Sequence, residues 1–159
     1  AINNSTIALN SVIKIKRRTW DLKDVYWDQY HLTKKILNFY GVIPITNYWI
    51  SKNNSELYLA YSETDNDLAY SYEHGNGLRK ILRPYNIENK WINNLPRTIF
   101  SGWNQLDEIA DLLIVTKSLK DCMVWRLFNI NAISPQSESI FLNENQFELL
   151  KLRFNKVYI

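Results

Sequence analysis

The last third of the chain, Leu112 to Ile159, constrains the fold more than any other stretch. Leu112–Val115 is a short, β-branched apolar run of the kind buried on both faces of a parallel sheet. Ser118 follows three residues before Asp121, the capping-box spacing that opens a helix directly off a strand end. Leu119, Cys122, Met123 and Leu127 fall on one face of that helix, so it is expected to pack back on the sheet. Ala132–Ser134 reads as a second short strand, stopped by Pro135. Asn143 and Gln146 repeat the capping spacing, and Phe147, Leu150 and Phe154 supply the packed face of a second helix. Val157–Ile159 begins a third strand. Strand–helix–strand–helix–strand predicts a parallel sheet with right-handed crossovers.

That topology says where chemistry would sit. Ligands of open α/β sheets bind beyond the carboxyl ends of the strands. Here those ends are Thr116-Lys117-Ser118 and Pro135-Gln136-Ser137-Glu138. The end of the third strand would lie past Ile159, which reads as the chain being a fragment of a longer protein. Lys117, at a strand mouth and a helix N-terminus, is a candidate phosphate ligand; its plainer role is a solvated loop lysine. Asp121 is a helix-capping residue by spacing. Ser118 reads as a cap rather than a nucleophile, because no histidine is placed to activate it.

Upstream, residues 1–13 read as a disordered or edge segment. Lys14, Lys16, Arg17 and Arg18 then run into Trp20, a basic arm that could track a nucleic-acid backbone or protect a sheet edge. Between residues 21 and 41, Leu22, Val25, Tyr26, Leu32, Ile36, Leu37 and Tyr40 recur at helical spacing, predicting two short helices broken near His31 and ended by Gly41. Residues 42–91 change to alternation, with strands at Glu56–Tyr61, Leu68–Tyr72 and Leu78–Leu82 and a hairpin turn at Glu73–Gly77, hence a small antiparallel sheet. On its returning strand Arg79, Lys80 and Arg83 precede Tyr85, Lys90 and Trp91. Cations interleaved with aromatics are what a single-strand groove uses; they also occur wherever Arg and Lys stems lie over buried rings. Residues 92–110 read as a connection anchored by Trp103.

Composition excludes several classes. Hydrophobic residues at 46% and aromatics at 14% are ample for a core, so wholesale disorder is not expected. No apolar run approaches a membrane span. One cysteine and two histidines cannot build a zinc module, and Cys122 reads as a small core residue. The net charge of +3 permits a polyanionic partner without requiring one.

At LLIVTKSLKD and AISPQSE the chain resembles the topoisomerase-primase (toprim) domain of bacterial-type, and especially phage-like, DNA primases. WDQYHLTKKILNFYGVIPI is similar to the helical pair in the amino-terminal lobe of such enzymes, and LRKILRPY and SGWNQL to segments of their cores. The resemblance spans roughly residues 14–159. It implies an α+β fold: an amino-terminal lobe, 14–110, of short helices and an antiparallel sheet, followed by an incomplete parallel toprim-like lobe, 111–159. It also implies a DNA primase that copies single-stranded DNA into short RNA primers by nucleotidyl transfer. Ribonucleoside triphosphates would be substrates, Mg or Mn the cofactor of the intact enzyme, a replicative helicase a partner, and the cytoplasm the compartment.

One departure matters. Aligning the family aspartate on Asp121 puts Lys117 where the family carries a glutamate, and the family's Asp-x-Asp pair would fall past Ile159. Asp121 and Glu138 are then the remaining metal candidates, with no complete metal site and no metal expected on this chain. The residues expected to carry function are Lys117 and Asp121 at the strand ends, and Arg17, Arg18, Arg79, Lys80, Arg83 and Lys90 on the template. The alternative is a non-catalytic toprim-like module that binds single strands; a toprim nuclease or recombination factor is a third reading, disfavoured by the helical pair.

Overall fold

The computed structural model describes residues 11–159, and its first strand, β1 (Val12–Arg17), is drawn from the basic arm. Residues 1–10 of the segment read as disordered or edge lie outside the described residues. β1 pairs antiparallel with β2 (Val42–Ser51), a ten-residue strand long enough to serve two further partners. Its second half pairs with β3 (Tyr58–Ser62) and its first half with β4 (Ala69–Glu73). β5 (Arg79–Leu82) and β6 (Trp91–Asn93) complete a six-stranded antiparallel sheet in the order β1-β2-β4-β5-β6. One face buries Ile13, Ile45, Tyr48, Ile50, Tyr61, Ala69 and Ile81. Pleating sends alternate residues the other way, and there Tyr70 and Tyr72 meet Trp27.

The helical pair is present, but its first member is a 3-10 helix (Val25–Tyr30) and its second is α1 (Lys34–Phe39). His31 takes a left-handed φ of 56° between them. The expected apolar face holds in the second member, where Leu32, Leu37 and Tyr40 are buried, and fails in the first, where Leu22 is 98% exposed and Val25 56% and Trp27 is buried instead. A 3-10 helix has three residues per turn, so a stripe read at 3.6 drifts off the core side.

The chain divides into two compact units, one covering the described residues to Gln29 with Thr33–Leu95, the other Tyr30–Leu32 with Pro96–Ile159. The second is built on β7 (Ala110–Val115), α2 (Leu119–Leu127), β8 (Asn131–Ile133), α3 (Glu144–Lys151) and β9 (Phe154–Tyr158). Its three strands are all parallel, in the order β8-β7-β9. Both predicted caps form: Ser118 accepts from the Asp121 amide, and Asn143 and Gln146 close a reciprocal capping box.

Three details differ from expectation. Phe154 does not extend the second helix; it opens β9 opposite Ala110, because the helix has already ended at Lys151. Leu127 is 39% exposed, so the buried face of α2 is Leu119, Cys122 and Met123. Within β7 Leu113 alone is fully buried, since helices of eight and nine residues cover only part of the sheet.

The stretch read as a connection, 92–110, is divided by the structure. Trp91–Asn93 is β6, whereas Phe100, Trp103 and Leu106 pack with Leu113, Ile133, Leu150 and Phe154. Ser101 locks this segment to the end of β8, its amide donating to the Ser134 carbonyl at 2.8 Å and its carbonyl accepting from the Ser134 amide at 2.9 Å. Gly102 makes the close approach possible. Its φ is +84°, and a Cβ there would stand 2.7 Å from the Ala132 carbonyl oxygen. Gly102→Ala is therefore expected to cost the left-handed penalty of about 1–2 kcal/mol plus a displacement of β8. Urea unfolding would read it as a lower midpoint; an unshifted midpoint would mean that the segment is not held as described.

Candidate functional site

Beyond β7 and β8 the parallel sheet opens into a cavity of about 550 Å³. Its walls are mainly apolar, with Phe100, Val115, Pro135 and Phe141 among them, and Thr116, Lys117 and Glu138 supply the polar groups. The strand-end rule thus locates a real concavity. Lys117 Nζ lies 3.3 Å from Glu138 Oε1, and both side chains are about four-fifths exposed (80% and 79%). Lys117 and Glu138, candidates at two different strand ends, are brought together as a solvent-exposed ion pair worth at most about 1 kcal/mol and free to exchange partners.

Asp121 is engaged differently. The Ser118 hydroxyl donates to its Oδ2 at 2.8 Å, its own amide donates back to Ser118 Oγ at 3.2 Å, and Lys120 Nζ stands 3.9 Å away. One candidate carboxylate faces an ammonium group and the other a serine hydroxyl and a lysine. Among the described residues no group of three or more His, Cys, Asp or Glu could hold a metal ion. Cys122 is buried beside the Ser101 carbonyl, and burial pushes its thiol up to about 12, which leaves it an inert core residue.

In the first unit most of the predicted template cations have acidic partners. Arg18 donates to both oxygens of Asp24 at 2.7 Å and to Glu63 Oε2 at 2.6 Å; Lys23 also reaches Glu63, and the Tyr70 hydroxyl donates to Asp24 at 2.9 Å. Burial opposes charge on Arg18, but the hydrogen bonds to Asp24 and Glu63 outweigh it and raise its pKa. Burial likewise favours the neutral form of Asp24, yet Arg18, the Asp21 amide and Tyr70 hold it below the ordinary range. Arg79 pairs with Glu73 at 3.2 Å and donates to the Ile13 carbonyl at 2.8 Å. Arg83 Nε donates to Asp67 at 3.1 Å while its guanidinium lies 5.0 Å from the Tyr61 ring centre. Lys80 sits 4.7 Å over the Trp91 ring, and burial pushes its pKa down to about 8.

Arg17 and Lys90 are presented to solvent, Arg17 with a loose 3.9 Å contact to Glu73. So are Lys14 and Lys16, alternating on β1 with the inward Ile13 and Ile15. Along the chain the acids that pair with these cations do not stand next to them. Asp24, Glu63, Asp67 and Glu73 are close in space but six to forty-five residues away along the chain, so no local pattern announces them.

No helix among the described residues is long and apolar enough to cross a membrane. No protein-family model matches the chain, and no curated protein matches it. One solved structure similar to it is that of the DnaG primase catalytic domain bound to ssDNA, with a TM-score of 0.49 and 15% identity over 91% of this chain and 47% of that one. The chain therefore spans about half the length of that structure.

Proposed function

We propose that this chain is the core portion of a primase-like protein that binds single-stranded DNA, with Lys117 as a phosphate ligand at the end of β7. What carries the reading is the order of the parts. A helical pair and an antiparallel sheet precede a parallel strand–helix unit, the order implied by the motif resemblance, and Lys117 stands where the chain passes from β7 into α2. Strand ends and helix N-termini in such units favour anions. In the whole protein the reaction would be nucleotidyl transfer to a growing RNA primer, from ribonucleoside triphosphates with Mg or Mn, alongside a replicative helicase. Arg17 and Lys90 are the template cations of this proposal with open faces; Arg18, Arg79, Arg83 and Lys80 would act by shaping the sheet that carries them.

A second reading, a non-catalytic single-strand-binding module on the same scaffold, is favoured by Lys117 standing in the glutamate position and by its pairing with Glu138. One titration bears on both. Lys117→Glu replaces attraction for a triphosphate by repulsion and is expected to weaken binding of a fluorescent ribonucleoside triphosphate about tenfold, the value of one charge-assisted contact. Equal or tighter binding by the variant would remove Lys117 from the site; no binding by the unsubstituted chain would leave the non-catalytic module as the reading.

A further inference from the structure

The antiparallel sheet presents a surface distinct from the cation clusters already described. Residues directly opposite one another in antiparallel strands share a face. The register places Lys14 opposite Trp49 and Trp49 opposite Leu59, making one row across β1, β2 and β3. The next row, about 7 Å along, is Lys16, Asn47 and Ser62, with Asn47 Nδ2 donating to Ser62 Oγ at 2.8 Å. Val12 and Ser51 form the row on the other side. The intervening residues, Ile13, Tyr48, Ile50 and Tyr61, point into the core. On the outward face Lys14, Lys16, Val12 (47%) and Leu59 (52%) are exposed, and Trp49 is half-buried at the centre.

We infer that Trp49 is a stacking platform for a base of single-stranded DNA, with Lys14 and Lys16 holding the neighbouring phosphates. Two observations point to this occupant. The three rows contain no carboxylate, and among the described residues neither Lys14 nor Lys16 has an ion-pair partner, in contrast to Arg18, Arg79 and Arg83. The charge of the face is therefore uncompensated and complementary to a polyanion. Lysines on an edge strand also deter edge-to-edge pairing. That role accounts for their charge but not for a tryptophan ring beside them on the neighbouring strand. An aromatic ring beside cations on a sheet face is what sequence-tolerant single-strand binding uses, because every base has a face that can stack. The inference rests on the single-strand reading above and adds the site to it.

The test is binding of a fluorescein-labelled oligothymidylate to the whole chain by anisotropy, at several salt concentrations. Trp49→Ala is expected to weaken binding about tenfold or more, and Trp49→Phe to keep most of the affinity. The double substitution Lys14→Gln/Lys16→Gln is expected to reduce the slope of log affinity against log salt by about 1.4, two phosphate contacts at about 0.7 each. In the unsubstituted chain, photocrosslinking to an oligonucleotide carrying 5-iodouracil should map to Trp49, which keeps the test valid if the alanine variant folds poorly. Binding unaffected by Trp49→Ala in a folded variant, or crosslinks confined to other residues, would overturn the platform and leave single-strand binding standing. An unsubstituted chain that binds no oligothymidylate at low salt would overturn both. Loss of self-association on Trp49→Ala without any effect on DNA would make this face a contact between copies and overturn the platform.

Discussion

Replacing Arg18 with alanine is expected to cost about 3–5 kcal/mol of stability, the penalty for removing one partner from a buried ion pair. The Asp24 side chain is 2% exposed and the Glu63 side chain 12%, so neither carboxylate can recover by hydration what it loses in Arg18. Lys23 stays on Glu63 and Tyr70 stays on Asp24, but Asp24 loses its only ion-pair partner among the described residues. The network also ties the basic arm to the residues before the 3-10 helix and to the end of β3, so the loss should spread through the first unit.

The pH dependence follows in sign. In the unsubstituted protein Asp24 titrates below its ordinary value of 3.8, so its contribution is present above that value and is lost as pH falls through the lowered one. In Arg18→Ala, burial without the guanidinium favours the protonated acid, which raises the folded-state pKa, and acid then relieves the variant. Urea unfolding at pH 7 and near pH 4.5 should therefore show a large gap that narrows on acidification. A gap under 1 kcal/mol at pH 7, or one that widens in acid, would mean that this network does not hold the unit together.

Trp27→Ala is expected to be of similar size, about 3–5 kcal/mol, for a different reason. Trp27 is 1% exposed, with ring centres 5.0 Å from Tyr26, 5.2 Å from Tyr70 and 6.3 Å from Tyr72. Truncation removes the transfer free energy of an indole and leaves a cavity that strand residues cannot move to fill. Trp27→Phe should cost distinctly less. It keeps one ring in the edge-to-face contact and removes an indole N–H that has no hydrogen-bond partner among the described residues. Denaturation midpoints ordered unsubstituted, Phe, Ala would support this account. Equal costs for the two substitutions would mean that ring contact is not what Trp27 supplies.

Much of the architecture is legible in the chain because its causes are local. Ser118 and Asn143 cap helices by bonding amides three residues on, and such spacing is visible in the sequence. The change from helical to alternating periodicity after Gly41 separates the helical pair from the antiparallel sheet, and the alternation of strands and helices after residue 110 sets a parallel one apart. Topology placed Lys117 and Glu138 at strand ends, and the structure has a cavity lined by both of them there.

What lay beyond the sequence depends on partners distant along the chain. Whether Phe154 ends a helix or opens a strand was settled by its pairing with Ala110, forty-four residues earlier by sequence number. Residues 92–110 read as a connection because nothing near them reveals the sheet against which Phe100 and Trp103 pack. The cations show it most clearly. Arg18, Arg79, Arg83, Lys14 and Lys16 look alike in the sequence, all within two residues of an apolar or aromatic side chain. Folding gives the three arginines carboxylates and leaves the two lysines beside Trp49. Composition and periodicity determine that this chain makes a basic, aromatic-rich antiparallel sheet and a parallel strand–helix unit. Only the tertiary structure decides which charges are spent internally, because an ion pair is set by distance through space and burial, and neither is a property of neighbours in sequence.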